Sequence, residues 1–130
     1  MSSASPRILV LDPEPFMQEL LRLKLEAVCG GEVVFAADEK EARKLLLEKT
    51  IDLVVLEILH PRLDAYRLVQ WFKNQPGLEG TKLVILTFKR KTPEIFFLYN
   101  VWIERYFEKP FYPDLFAAEV REILKSCEAA

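Results

Sequence analysis

An α/β fold built on a doubly wound, five-stranded parallel sheet is what this sequence predicts. Two observations carry that expectation. Short apolar runs rich in branched residues alternate with stretches whose apolar residues recur at helical spacing, the pattern of a parallel sheet covered by helices on both faces. The apolar runs also stop at polar or charged residues: 8–11 at Asp12, 53–56 at Glu57, 83–86 at Thr87, and 106–108 at Lys109. Ligands of open parallel sheets bind beyond the carboxyl ends of the strands, where strand order switches. One anion pair, one hydroxyl and one cation are therefore expected to share a crevice.

The elements follow in order. Residues 7–12 are the first expected strand. Pro15 suits the first turn of the helix that follows, where a missing N–H leaves no bond unmade. Met17, Leu20, Leu21, Leu25 and Val28 recur at helical spacing, and Gly30-Gly31 supply the stop because glycine accepts the left-handed conformation past a helix end. Residues 32–36 are a second strand. Asp38 with Glu41 three residues on is a capping-box pattern, opening a helix to about residue 49 with Ala42, Leu45 and Leu46 inward. Residues 52–57 form a strand, 65–74 a short helix with Leu68, Val69 and Phe72 inward, and 75–80 a loop marked by Pro76, Gly77 and Gly80. A strand over 82–87, an unusually aromatic helix over 93–101, a short strand over 105–108 and a last helix over 113–127 complete the alternation. In the last helix Phe116, Val120, Ile123 and Leu124 have core spacing. Residues 1–6 are expected to be a flexible N-terminus and 7–127 one domain.

Composition narrows the function classes. The 130 residues suit one domain, and a hydrophobic fraction of 51% suffices for one sizeable core. With 18 basic and 20 acidic residues the net charge is -2, which makes no case for nucleic acid or an anionic membrane as the main partner. No apolar run approaches membrane-spanning length, and no signal pattern opens the chain. Cys29 and Cys127 lie far apart without metal-ligand spacing, so a reduced, cytoplasmic protein is expected.

The ordered set of strand-end residues resembles the bacterial two-component receiver domain, over residues 7–125. Ile8-Leu9-Val10-Leu11-Asp12-Pro13-Glu14-Pro15 is similar to that family's opening strand and acidic turn. Residues 52–64, ending in Glu57-Ile58-Leu59-His60-Pro61-Arg62-Leu63-Asp64, resemble its acceptor strand and the Pro-containing loop beyond. Val84-Ile85-Leu86-Thr87 resembles the strand ending in the phosphate-sensing hydroxyl, and Tyr106-Phe107-Glu108-Lys109-Pro110 the switch aromatic, the lysine and its turn. The resemblance implies a flavodoxin-like, CheY-like sheet of order 2-1-3-4-5. It also implies roles. Asp12 corresponds to the first acid, which helps hold Mg²⁺ through water. Thr87 corresponds to the hydroxyl that bonds the phosphoryl group, Lys109 to the cation bridging acceptor and phosphate, and Tyr106 to the aromatic that swings inward on activation.

The departures point one way. Glu57 stands at the acceptor position in place of aspartate, and Pro13 stands where a second acid belongs. Phe88 replaces a small residue beside the mouth of the site, Trp102-Ile103 replaces a Gly-Ala pair, and Ala65 replaces a glycine. Mg²⁺ requires hard oxygen ligands in near-octahedral geometry, so the loss of a carboxylate weakens its site; no cofactor is expected, with Mg²⁺ weak at best. The extra methylene of Glu57 moves its oxygens by roughly 1 Å, which disfavours in-line phosphoryl transfer. The same reach brings the carboxylate towards Lys109 and Thr87, where it imitates a phosphorylated acceptor in part, with one negative charge for about two.

The expected function is therefore an atypical receiver domain in a two-component phosphorelay, not an enzyme, acting through protein contact. The alternatives are residual Mg²⁺-dependent autophosphorylation at Glu57 or Asp12, and a small phosphate-handling hydrolase on a similar fold. The expected partner is a histidine kinase, a downstream signalling protein or a second copy of the chain, met through the fourth helix and fifth strand. There the excess of aromatics, Tyr99, Trp102 and Tyr106 among them, exceeds what one buried stripe can hold. His60, the one histidine, is expected as a loop residue packed beside Pro61 rather than as a base or ligand, with no second histidine to join it in a metal site. Lys89-Arg90-Lys91 is expected to be a solvated loop.

Overall fold

Five parallel strands form one sheet of order β2-β1-β3-β4-β5 in a computed structural model of the chain. The structure describes residues 5–95 and 103–129, the side chains of 126–129 excepted. The strands are β1 (Arg7–Leu11), β2 (Glu32–Phe35), β3 (Leu53–Leu56), β4 (Lys82–Thr87) and β5 (Arg105–Glu108). Between them run α1 (Pro15–Cys29), α2 (Glu39–Glu48) and α3 (Ala65–Lys73), and the chain closes with a C-terminal helix, Pro113–Ala129. No helix among the described residues is long and apolar enough to cross a membrane.

The alternation of strand side chains sorts the core into two layers. Leu9, Leu11, Val54, Leu56, Leu83 and Ile85 face one way and pack with Ala42 and Leu46 of α2 and Leu68, Val69 and Phe72 of α3. Ile8, Val10, Leu53, Val55, Val84 and Leu86 face the other way, against Leu21 and Leu25 of α1 and Phe116, Val120 and Leu124 of the C-terminal helix. Both faces of the sheet are thus dry, which is why its central strands read as unbroken apolar runs. Each such side chain contributes about 1.5–3 kcal/mol on burial.

Local chemistry sets the element ends. Gly30 closes α1 with φ 72 and donates its N–H to the Glu26 carbonyl. Asp38 caps α2 by accepting from Glu41 N at 2.9 Å. The returning bond of the expected capping box is displaced by one residue, since Glu41 Oε1 accepts from Ala37 N at 2.7 Å. Asp64 caps α3 through Arg67 N at 3.0 Å. The helix expected over 93–101 lies outside the described residues beyond Ile95.

Candidate functional site

Asp12, Glu57 and Lys109 each directly follow a strand, and Thr87 is the last residue of β4. Backbone ladders carry this order past the strand ends. Glu57 N donates to Leu11 O at 3.0 Å and Lys109 N to Thr87 O at 2.7 Å. The sheet register therefore delivers four polar side chains to one place, in chain segments that are far apart in sequence. All four are buried, with Asp12 at 3%, Glu57 at 5%, Thr87 at 0% and Lys109 at 7% exposure.

Lys109 Nζ lies between the carboxylates, 2.7 Å from Asp12 Oδ2 and 3.1 Å from Glu57 Oε2. A desolvated ammonium requires such partners. Glu57 is held from several sides. Its Oε1 accepts from the Thr87 hydroxyl and from Leu59 N at 3.0 Å, and its Oε2 accepts from Phe88 N at 3.2 Å as well as from Lys109. The free oxygen of Asp12 accepts from Glu14 N at 2.9 Å. Gln18, in the first turn of α1, donates Nε2 to the Asp12 carbonyl at 2.7 Å. Pro13 stands beside this array with no side-chain donor or acceptor.

The rim carries the remaining residues. Phe88 is 62% exposed, yet its ring centroid lies 5.0 Å from Lys109 Nζ, so it caps the ammonium from outside. Tyr106 packs against the α2/α3 core layer. Its hydroxyl donates to Lys89 O at 2.8 Å. Burial, with the Glu108 and Glu57 carboxylates nearby, pushes the Tyr106 phenol up to about 12, so it remains a donor at neutral pH. Tyr99 and Trp102, expected at a partner face, lie outside the described residues.

His60 lies in the loop beyond β3, as expected, and is buried there. It is 4% exposed, and its Nδ1 accepts from Arg62 N at 3.1 Å. That bond assigns the proton to Nε2, which is buried without a partner. Burial and the Arg62 charge hold the imidazole below its ordinary range, with Asp12, Glu57 and Asp38 opposing. The backbone donors of Leu59 and Phe88 were also beyond the sequence, because an N–H has no residue-type signal. Among the described residues no group of three or more His, Cys, Asp or Glu side chains is placed to hold a metal ion.

A match of residues 8–121 to the family model for the response regulator receiver domain accompanies this geometry. The chain belongs to the response regulator receiver family. It is therefore a receiver domain of two-component signalling. Among its relatives, response regulator Rre1 of Synechocystis is 28% identical over 123 residues, 95% of this chain and 53% of Rre1. The probable transcriptional regulator ycf27 of Cyanophora paradoxa is 30% identical over 122 residues, 94% of this chain and 49% of that protein. The receiver domain thus spans about half the length of these curated relatives. In fold it is similar to a CheY-like receiver domain protein of Methanospirillum hungatei, with a TM-score of 0.81 at 24% identity, covering 96% of this chain and 98% of the other.

Proposed function

We propose that this receiver domain is an atypical one: its output does not depend on an aspartyl phosphate, because Glu57 holds the phosphoryl-sensing groups itself. One observation carries the reading. The Glu57 carboxylate already engages the Thr87 hydroxyl and the Lys109 ammonium, the two groups that receiver domains direct at a phosphorylated acceptor. An aspartate at this position is one methylene shorter and leaves that space for a phosphoryl group. Tyr106, half-buried with its hydroxyl on the Lys89 carbonyl, fits the inward setting of the switch aromatic. A carboxylate brings one charge where a phosphate brings about two, so the mimicry is partial and permanent.

The donor set does not fit a resident Mg²⁺. Lys109 occupies an oxygen of each of the two carboxylates, and Pro13 offers none. An ion would have to displace a bonded ammonium with too few anionic oxygens to replace it. The receiver domain then works by protein contact, with a kinase, a downstream signalling protein or a second copy as partner.

Intact-mass measurement after incubation with acetyl phosphate and Mg²⁺ tests this. The expected spectrum is that of the unmodified chain. A stoichiometric phosphate adduct that maps to Glu57 overturns the proposal, and one that maps to Asp12 replaces it with a relocated acceptor.

A further inference from the structure

The loop that begins at Phe88 is fastened to the site more firmly than a solvated charge run requires. Phe88 N is bound by Glu57 Oε2 at 3.2 Å, and Lys89 N by Thr87 Oγ1 at 3.1 Å. Lys89 O accepts from the Tyr106 hydroxyl at 2.8 Å, and Lys91 N donates to Glu108 Oε2 at 2.9 Å. Phe88, Lys89 and Lys91 are thus tied to the residue that follows β3 and to β4 and β5 at the mouth of the crevice. What this framework presents outward is the Phe88 ring, 62% exposed, followed by the exposed side chains of Lys89 and Arg90. Across the mouth, Leu59 is 54% exposed and hangs from the other oxygen of the same carboxylate, through its N–H at 3.0 Å.

Two large apolar side chains held at fixed positions beside a cationic run form a docking surface that is ordered before a partner arrives. Preorganisation removes much of the ordering cost of association. The charge selects the occupant: a positive rim favours a negative partner and speeds its encounter. We propose that the mouth of the crevice, built from Phe88, Leu59, Lys89 and Arg90, binds an acidic segment of a partner protein that inserts an apolar side chain against Phe88. A polynucleotide fits less well. Its binding rests on neutralising many phosphates, and this short run belongs to a chain of net charge -2, whereas the exposed aromatic and Leu59 supply apolar contact. Glu57 and Tyr106 are positioning residues for this surface, since they hold its backbone without facing the partner.

The test is a titration of ¹⁵N-labelled protein with a short synthetic peptide of alternating aspartate and leucine. A lysine–leucine peptide of equal length and a single-stranded oligonucleotide serve as comparisons. Saturable shifts in loop 88–91 and at Leu59 are expected with the acidic peptide alone, weakening with added salt. Phe88→Ala should weaken binding about tenfold. Arg90→Glu should weaken it and flatten the salt dependence. Both residues are exposed, so an unchanged melting temperature shows that the variants fold. Tyr106→Phe, which keeps the ring and deletes the bond to Lys89, should cause a smaller loss. Absence of binding by the acidic peptide, shifts confined to other surfaces, equal binding of the basic peptide or the oligonucleotide, or full affinity in Phe88→Ala overturns the proposal. Binding is read on the unmodified protein, so the outcome of the phosphodonor experiment does not decide it.

Discussion

A buried lysine stays charged only where the fold supplies anionic partners at bonding distance, and Lys109 has two, at 2.7 and 3.1 Å. Removing it strands both carboxylates. Lys109→Met should therefore destabilise the domain by about 3–5 kcal/mol, read as a lowered denaturation midpoint at neutral pH; a loss within the surface-substitution range contradicts the bridge. His60 supplies the pH dependence at this scale. Its folded pKa lies below the ordinary 6.5, so the unfolded chain binds this proton more readily. Its contribution to stability is present above pH 6.5 and is lost as the pH falls from there through the folded value. As the one histidine in the chain, it can be assigned directly: His60→Leu should abolish the decline in melting temperature across that window. A decline that persists unchanged in the variant locates the titration elsewhere.

The paired glycines after α1 show how one sequence signal serves two purposes at the level of elements. Gly30 takes φ 72 to close the helix, and a Cβ there meets nothing within 4 Å. Gly31 has no positive φ, but a Cβ there would lie 1.9 Å from Pro6 O. That carbonyl accepts the Glu32 N–H at 2.9 Å and so opens the pairing of β1 with β2. Gly30→Ala should cost about 1–2 kcal/mol, the left-handed penalty alone. Gly31→Ala must push a backbone carbonyl aside and should cost more. Thermal melts of the two variants decide the order, and equal losses contradict the steric assignment.

At the scale of the whole molecule the sheet divides the apolar interior into two layers that share strands but not helices. Val69 of α3 is buried on one face and Val120 of the C-terminal helix on the other. Each truncation to alanine should cost about 2 kcal/mol. The double variant should equal the sum to within about 0.5 kcal/mol, because no contact is shared across the sheet. A larger coupling in denaturant unfolding would mean that the sheet itself relaxes between the layers.

The same division explains what could be read without coordinates. Strand β4 over 82–87 and the inward residues of α3 follow from the sequence because apolar periodicity is local, and the cap at Asp38 follows because a carboxylate reaches only its own first turn. The candidate site was legible as four residues at strand ends, since parallel pairing puts all carboxyl ends on one side. The order β2-β1-β3-β4-β5 came with the family resemblance, as periodicity does not say which strands neighbour each other. Only the tertiary structure joined Lys109 to Asp12 across 97 residues and placed the Leu59 and Phe88 amides on Glu57. It alone showed how deeply His60 is buried and that its Nδ1 accepts from Arg62 N. Periodicity and capping act within a few residues, whereas the aim of a backbone N–H and the burial of a loop side chain depend on segments brought over them by the rest of the fold.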